Sequence, residues 1–396
     1  MMEFEAKVSV IEAFLAHRDF VMPKQEEYKV APLELFFDLI FVFALIQLSH
    51  HLAEHLSWRG VAETATLLVA VLSVWSYTSW AATMIPVSRA TCTAMLLVVT
   101  MFGLIMNAAI GSAFSDAAWS FVIPMLCIQI VRTVWTITNA PTQDYKQHFK
   151  ALLIWLFIAS PLWIIGANAD ADTRLFWWGA AVLIDLLGAY LAHPIPGHRL
   201  NFEQLPFDAE HMLERYNLFL IIALGETILM TGSSIAKHAT DLMTLWTGSC
   251  ALLITISLWA LAFGSIQKHA EAHATVTINP VRISHYAMNV TTIMVACLIV
   301  LAVGNEKVIH HPSEHATLAT GLMISMAPGI FLFMQGLFLK SMLNITSNLH
   351  WFGGLLTGCS GVLILILPPY LVIFIIGFLL ACFAIFDWHK RHRMTM

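Results

Sequence analysis

The feature that most constrains this chain is a succession of twelve apolar windows, each long enough to cross a lipid bilayer as a helix. A spanning helix needs about 20 mostly apolar residues. The sequence therefore predicts an all-α, polytopic transmembrane helix bundle of about twelve helices. The windows cover approximately residues 32–55, 61–84, 91–113, 117–138, 149–167, 174–194, 211–236, 242–266, 283–304, 317–340, 351–368 and 370–387. Pro368 and Pro369 separate the last two windows, which also fit one broken or re-entrant helix.

Composition supports a membrane protein and argues against other classes. Only 11% of the 396 residues are charged and 59% are hydrophobic, whereas a soluble domain carries about 25% charged residues. The net charge of −5 gives no basis for nucleic-acid binding. The six cysteines all fall within predicted spans, so they do not indicate a disulfide framework. The partner that composition predicts is the lipid bilayer.

The distribution of lysine and arginine predicts the orientation of the spans, because cytoplasmic loops are enriched in both residues. With residue 1 inside, fourteen of these residues lie in inside segments and four in outside loops. The inside set is Lys7, Arg18, Lys24, Lys29, Arg89, Lys146, Lys150, Arg199, Lys268, Arg282, Lys340, Lys390, Arg391 and Arg393, and the outside set is Arg59, Arg174, Lys237 and Lys307. We therefore expect both termini to lie in the cytoplasm.

The chain divides into five predicted segments. Residues 1–30 form a cytoplasmic N-terminal segment, 31–195 a first six-helix half, 196–207 a cytoplasmic linker, 208–388 a second six-helix half and 389–396 a cytoplasmic tail. Because six is even, both halves start inside, which predicts a parallel repeat. Glu214 follows Glu34 by 180 residues, and Ser-Leu-Trp259 is similar to Ser-Val-Trp75.

The first span opens with two acids, Glu34 and Asp38, four residues apart. At that spacing both side chains project from one helix face. Acids in a first helical turn favour the helix dipole, a role that fits Glu34 better than the deeper Asp38. Arg132 lies at nearly the same predicted depth in the fourth span. We predict an ion pair between Arg132 and Asp38 or Glu34, serving as a structural tie or an inner gate.

Glu226 is the deepest acid of the second half, which opens with Glu214 and Arg215. A charge at the bilayer centre costs about 2.5–3.5 kcal/mol on insertion scales, so this carboxyl group is neutral, paired or in a wet cavity. Arg215 lies about 16 Å away along the helix, too far to pair with it. The neighbouring Gly225 is expected to permit close helix approach. Glu226 is a candidate carrier of a proton or cation, or a hydrogen-bonded structural acid.

Further polar residues lie within spans. Asp185 is a mid-span acid of the sixth window, and side chains able to bond these acids recur elsewhere. Each alone is typical of a tie between helices, but together they indicate a polar interior that serves a transported substrate or ion. The bonding candidates are Asn107, Gln129, His285, Asn289 and Gln335.

Two histidine clusters have the same pattern, His-His-x-x-Glu-His, at residues 50–55 and 310–315. Both lie outside in the predicted topology. Imidazoles at i and i+4 are able to chelate a divalent ion such as Zn²⁺. His51, His55, His311 and His315 are therefore candidate ligands of an external metal site, set against chance recurrence in a histidine-rich chain.

The stretch from Glu34-Leu-Phe-Phe-Asp38 to Gln47-Leu-Ser-His50 resembles the N-terminal signature of the bacterial low temperature requirement A (LtrA) family. The stretch Glu214-Arg215-Tyr-Asn217 to Gly225-Glu226 is similar to that family too, as is Trp75-Ser-Tyr77-Thr-Ser-Trp80. The resemblance runs through Gly304-Asn-Glu306 and departs at Asn217, where the family usually has glycine. It implies a membrane protein that supports growth in the cold, without naming an activity.

These features favour a transporter or an ion or proton pathway. Glu226 and Asp185 are its candidate carriers, and Glu34, Asp38 and Arg132 its candidate inner gate. A potassium-type channel is one alternative, because the phenylalanine–aspartate motif that opens the first of six helices is similar to that of the endolysosomal-type potassium channels with six-span repeats. Another is a membrane-embedded enzyme or metalloprotein acting on a lipid-soluble substrate. A scaffold or sensor is a third. The substrate and the oligomeric state are left open by the sequence.

Overall fold

The computed structural model describes residues 30–85, 90–195, 207–237, 240–263, 280–343 and 347–395. Within these residues the chain forms twelve α-helices. They are α1 (Pro32–Glu54), α2 (Trp58–Met84), α3 (Ala90–Ala108), α4 (Ala118–Asn139), α5 (Gln143–Asn168), α6 (Ala171–Tyr190), α7 (Ala209–Ala236), α8 (Leu242–Ala262), α9 (Pro280–His310), α10 (Leu318–Leu343), α11 (Asn348–Ser360) and α12 (Pro369–Thr395).

The predicted all-α membrane bundle is confirmed. Eleven candidate membrane spans are long and apolar enough to cross a bilayer. The exception among the twelve helices is α6, which carries Asp172, Arg174 and Asp185. The expectations for segments 1–30 and 196–207 concern mainly residues 1–29 and 196–206, which lie outside the described residues. The division into two six-helix halves and their parallel repeat stay predictions.

Several helices begin at side chains that cap the first turn. Ser57 accepts a hydrogen bond from the Gly60 N–H, Thr142 from the Tyr145 N–H, and Asp208 from the His211 N–H. Such caps satisfy backbone donors that have no partner within the helix and contribute about 0.5–2 kcal/mol each. The capping residues therefore fix where the polar connections end and the apolar spans begin.

The two ends of the bundle are named here proximal and distal, according to the direction of α1. The proximal end is where α1, α7 and α9 begin, and the distal end is where they finish. At the distal end Lys237 pairs with Glu306 at 3.7 Å, and the Tyr370 N–H donates to the Pro312 carbonyl at 3.1 Å. That second contact places the start of α12 distally, so α12 runs back to the proximal end.

Helix α1 lies in the interior of the bundle, in contact with α2, α3, α7 and α9. Its inward face is apolar and buried from Phe37 to Leu52. Helix α9 contacts the same α1 together with α7, α8 and α10. The acids that open α1 are therefore inside the protein and do not face lipid.

The last two spans are separated as the prolines predict. Helix α11 is short, continues as a 3-10 segment from Gly361 to Leu365, and α12 starts at Pro369. Proline lacks the N–H that would continue the helix.

Helices α10 and α11 touch backbone to backbone through glycines. A Cβ added at Gly329 would lie 2.7 Å from the Gly354 carbonyl oxygen and 3.0 Å from the Gly358 nitrogen. A Cβ at Gly354 would likewise meet the Gly329 carbonyl oxygen at 2.7 Å. This is the small-residue packing of membrane helices. The close approach expected at Gly225 is absent, since nothing lies within 4 Å of a Cβ built there.

We expect Gly329→Ala to destabilise the protein by about 1–3 kcal/mol, because overpacking at a backbone contact forces the helices apart. The measurement is thermal unfolding of the purified protein in detergent. Gly232→Ala is the matched control, because nothing lies within 4 Å of its added Cβ. An equal melting temperature for the two variants would contradict the assigned contact.

Candidate functional site

The two acids of α1 are among the least accessible side chains of the protein. Asp38 is 0% exposed and Glu34 is 1% exposed. They lie one helical turn apart on the face of α1 that meets α7. A buried carboxylate is costly unless it is paired and hydrogen-bonded, so the partners of these two define the site.

Their shared partner is Arg215 of α7, which is itself 0% exposed. The Arg215 Nη2 donates to Asp38 Oδ1 at 2.6 Å, and Nη1 donates to Glu34 Oε1 at 3.4 Å. The predicted ion pair of Arg132 with Asp38 or Glu34 is therefore wrong. Matching depth along two spans did not settle which helix lies beside α1.

Glu34 combines the two roles weighed for it. Its Oε2 accepts the Ala31 N–H at 2.9 Å, which caps the start of α1, while its Oε1 lies 3.2 Å from His211 Nε2. Two carboxylates thus face the guanidinium and an imidazole, and their charges balance when His211 is protonated. We call Glu34, Asp38, His211 and Arg215 the α1–α7 cluster.

Aromatic side chains surround the α1–α7 cluster. Trp75 of α2 donates from its indole N–H to Asp38 Oδ1 at 2.6 Å, and the Arg215 guanidinium lies over the Phe37 ring at 5.6 Å. The Trp75 and Phe219 rings pack at 4.3 Å. Because these rings exclude water, the ion pairs act in a low-dielectric surrounding, where the loss of either partner is strongly destabilising.

The acids of the second half lie elsewhere. Glu214 is half-buried beside Arg215 on α7. Glu226 is 4% exposed in the middle of α7, and its Oε2 has no hydrogen-bond partner among the described residues. The next residue, Thr227, lies 3.1 Å from Thr255 of α8, hydroxyl to hydroxyl. Glu226 is therefore a buried acid with an unused oxygen.

A second polar group surrounds Arg132, 1% exposed on α4 near the proximal end. Its guanidinium lies 5.4 Å from the centre of the Tyr77 ring, and the Tyr77 hydroxyl lies 3.2 Å from His193 Nε2. The rings of His148 and His193 are 5.7 Å apart. Asp185 of α6 interacts electrostatically with Arg132. We call Arg132, Tyr77, His148, Asp185, His193 and His285 the Arg132 pocket: the first two, His193 and His148 are joined by the contacts just given, whereas Asp185 and the His285 ring, which packs against Trp80, lie in the surroundings.

One stretch of α2 joins the two groups. Trp80 donates to the Tyr216 hydroxyl at 2.9 Å, next to Arg215, and its ring packs against His285 at 4.4 Å. In the same stretch, Trp75 bonds Asp38 of the α1–α7 cluster, and Tyr77 belongs to the Arg132 pocket. The stretch Trp75 to Trp80 therefore reaches both sites.

Two of the polar side chains proposed to bond the acids instead tie helices together. The Asn107 side-chain amide donates to the Ile40 carbonyl at 2.8 Å, linking α3 to α1. The Gln335 amide donates to the Ala262 carbonyl at 3.2 Å, linking α10 to the end of α8. Both contacts are the structural ties that were expected of such residues singly.

The histidine clusters make ion pairs. His51 lies 3.3 Å from Glu63, and His311 lies 3.2 Å from Glu314. The His55 ring packs against His51 at 4.6 Å, and His315 is exposed. In the part of the chain that the structure describes, no three potential metal-ligating side chains converge. The metal site proposed from the pattern gains no support from this geometry.

Several residues of these sites were not predicted. His211, Trp75 and Tyr216 complete the surroundings of Arg215, and His148 and His193 complete the Arg132 pocket. The signal for the first three was present, because they lie in or beside the stretches that carry the family resemblance. His193 had no such signal: it follows Ala192 at the end of α6, both with left-handed φ values of 61° and 52° in chain order.

This architecture defines a polytopic helical membrane protein whose ionisable side chains are gathered inside the bundle and paired between helices. The family model described as bacterial low temperature requirement A protein (LtrA) matches residues 29–385. The chain therefore belongs to the bacterial low temperature requirement A family, as the opening stretches of α1 and α7 predicted. A curated relative is 28% identical over 361 residues, covering 90% of this chain and 88% of its own length; it is a protein of Rhizobium meliloti (strain 1021) named as uncharacterized.

We expect Arg215→Gln to destabilise the protein by about 3–5 kcal/mol, because it leaves the buried Asp38 without a counter-charge and Glu34 with His211 alone. The triple variant that also carries Glu34→Gln and Asp38→Asn should recover most of that loss, since it removes the unpaired charges. Thermal unfolding in detergent is the measurement, and the exposed Glu54→Gln is the control. Failure of the triple variant to exceed the single one in stability would refute the pairing.

Proposed function

We propose that the protein is a transporter or an ion or proton pathway of the bacterial inner membrane that supports growth at low temperature. The observation that carries the proposal is Glu226, a buried mid-helix carboxyl group whose Oε2 has no hydrogen-bond partner among the described residues. Intramembrane acids are costly and mark ion pathways and proton relays. Glu226 would carry the proton or cation, with Asp185 as a second carrier site.

The α1–α7 cluster would serve as the inner gate. It lies about 16 Å from Glu226 along α7, toward the proximal end. Its ion pairs hold the starts of α1 and α7 together, an arrangement that would serve as the closed state of the gate. Opening would require Arg215 to leave Asp38 while each group finds another partner, because an unpaired buried charge is strongly destabilising.

The proposed carrier is tested by flux. The protein is reconstituted into liposomes that contain a pH-sensitive dye, and a potassium diffusion potential set with valinomycin drives protons inward. We expect dye acidification above that of protein-free liposomes. Glu226→Gln should slow it at least about 10-fold, the loss expected of a positioned proton-transfer group. Glu54→Gln, an acid exposed at the end of α1, is the matched control and should behave as the wild type.

Sodium and potassium uptake are measured in matched liposomes without valinomycin. A wild-type protein that moves none of the three cations faster than empty liposomes would overturn the proposal. Flux that does not saturate with ion concentration would assign a channel and would overturn the carrier mechanism.

The proposed orientation places the proximal end in the cytoplasm. We expect alkaline phosphatase inserted after His311, in the distal connection between α9 and α10, to be active, and green fluorescent protein fused after Thr395 to fluoresce. Phosphatase folds only outside the cytoplasm and this fluorescent protein only inside, so the two report opposite sides. The reverse pattern, read in whole cells, would show that the orientation is inverted.

A further inference from the structure

In the part of the chain that the structure describes, three arginines are buried, and they form different numbers of hydrogen bonds. Arg215 has two carboxylates. Arg174 donates to the carbonyl oxygens of Gly166, Ala113, Ser115 and Ala169 at 2.8–3.1 Å. Arg132 donates to the Thr133 hydroxyl at 3.2 Å. Its Nε and Nη1 have no hydrogen-bond partner among the described residues.

Most N–H groups of the Arg132 guanidinium therefore lack a hydrogen-bond acceptor among the described residues. A guanidinium carries five N–H donors in a planar fork. Among the described residues no carboxylate forms an ion pair with Arg132. An unpaired buried charge is strongly unfavourable, and the fork matches the geometry of a carboxylate or a phosphate. The missing partner is therefore an oxyanion.

The surrounding side chains suit such a ligand. The Tyr77 hydroxyl and the His193 imidazole, which share a hydrogen bond, lie beside Arg132, with the His148 ring next to them. The His285 ring packs against Trp80 of the same stretch of α2. Asp185 is the acid that interacts with Arg132, and it does so from beyond ion-pair distance. The donor set is thus rich in nitrogen and hydroxyl groups and contains one acid.

Four side chains of the Arg132 pocket are partly exposed. Arg132 and His193 are buried, whereas Tyr77, His148, Asp185 and His285 are each half-buried. His193 reaches the group because Gly188 lets it fold back under α6: its N–H donates to the Gly188 carbonyl at 2.7 Å. A Cβ at Gly188 would lie 3.1 Å from the His193 ring.

We propose that the Arg132 pocket binds a small oxyanion, a carboxylate or a phosphate group, through the free edge of the Arg132 guanidinium. Tyr77 and the three histidines complete its hydrogen bonds. The pocket lies at the proximal end, apart from Glu226; it includes Asp185, the proposed second carrier, but its binding of an oxyanion does not require transport. Binding is measured in detergent solution without any flux, so this proposal and the transport proposal fail separately.

The test is scintillation-proximity binding on the purified full-length protein, with radiolabelled inorganic phosphate in one arm and radiolabelled acetate in the other. We expect saturable binding in at least one arm, displaced by the unlabelled oxyanion and not by equimolar chloride. Arg132→Gln should weaken binding at least about 10-fold, as expected for loss of charge-assisted hydrogen bonds. Arg132→Lys keeps the charge but lacks the planar fork, so its binding affinity should lie between those of the wild type and Arg132→Gln.

Lys150→Gln is the matched control, because it removes an exposed cation at the same end of the bundle and should leave binding unchanged. Asp185→Asn should bind at least as tightly as the wild type, since it removes a competing negative charge. Tyr77→Phe keeps Arg132 and should weaken binding, which keeps the test valid if Arg132→Gln does not fold. No saturable binding in either arm, equal displacement by chloride, or equal affinity of Arg132→Gln and wild type would each overturn the proposal.

Discussion

A guanidinium group sealed from water needs negative charge or hydrogen-bond acceptors, and Arg215 meets two carboxylates on α1. The contact with Asp38 at 2.6 Å fixes α7 against α1 at their beginnings. Since α1 also contacts α2, α3 and α9, that single arrangement sets the positions of the central helices. The energy of the contact is asymmetric: the intact pair contributes modestly, whereas either half alone is costly. Such an interaction specifies one packing more than it adds stability.

The sequence predicted the helices well because crossing a bilayer imposes a length and a composition on each one. Helix α1 begins at Pro32 and α12 at Pro369, close to the predicted window edges. The acids of α1 were found as well, because charges stand out in apolar surroundings. The fold class and the positions of most candidate residues therefore followed from composition and spacing.

The pairing of those residues did not follow. Depth along a span is readable from the number of residues, but the identity of the neighbouring helix is not. Arg132 and Arg215 lie at comparable depths near the proximal end, and only the packing of α7 against α1 decides for Arg215. The position of His193 was not predicted for another reason. Two successive residues with left-handed φ values at the end of α6 turn the chain back toward the bundle. No pattern of residue types in the sequence predicts that turn.

The stretch of α2 from Trp75 to Trp80 has a mechanical consequence. It is less than two helical turns long, and it bonds Asp38 through Trp75, touches Arg132 and His193 through Tyr77, and bonds Tyr216 through Trp80. Over so short a length the residues of a helix move together as a rigid unit. Rotation of α2 that draws Trp75 away from Asp38 therefore also shifts Tyr77 against Arg132. Arg132 and Arg215 are therefore linked through one rigid helical segment. A movement of α2 that follows a change in the charge or occupancy at one of them also changes the contacts of the other.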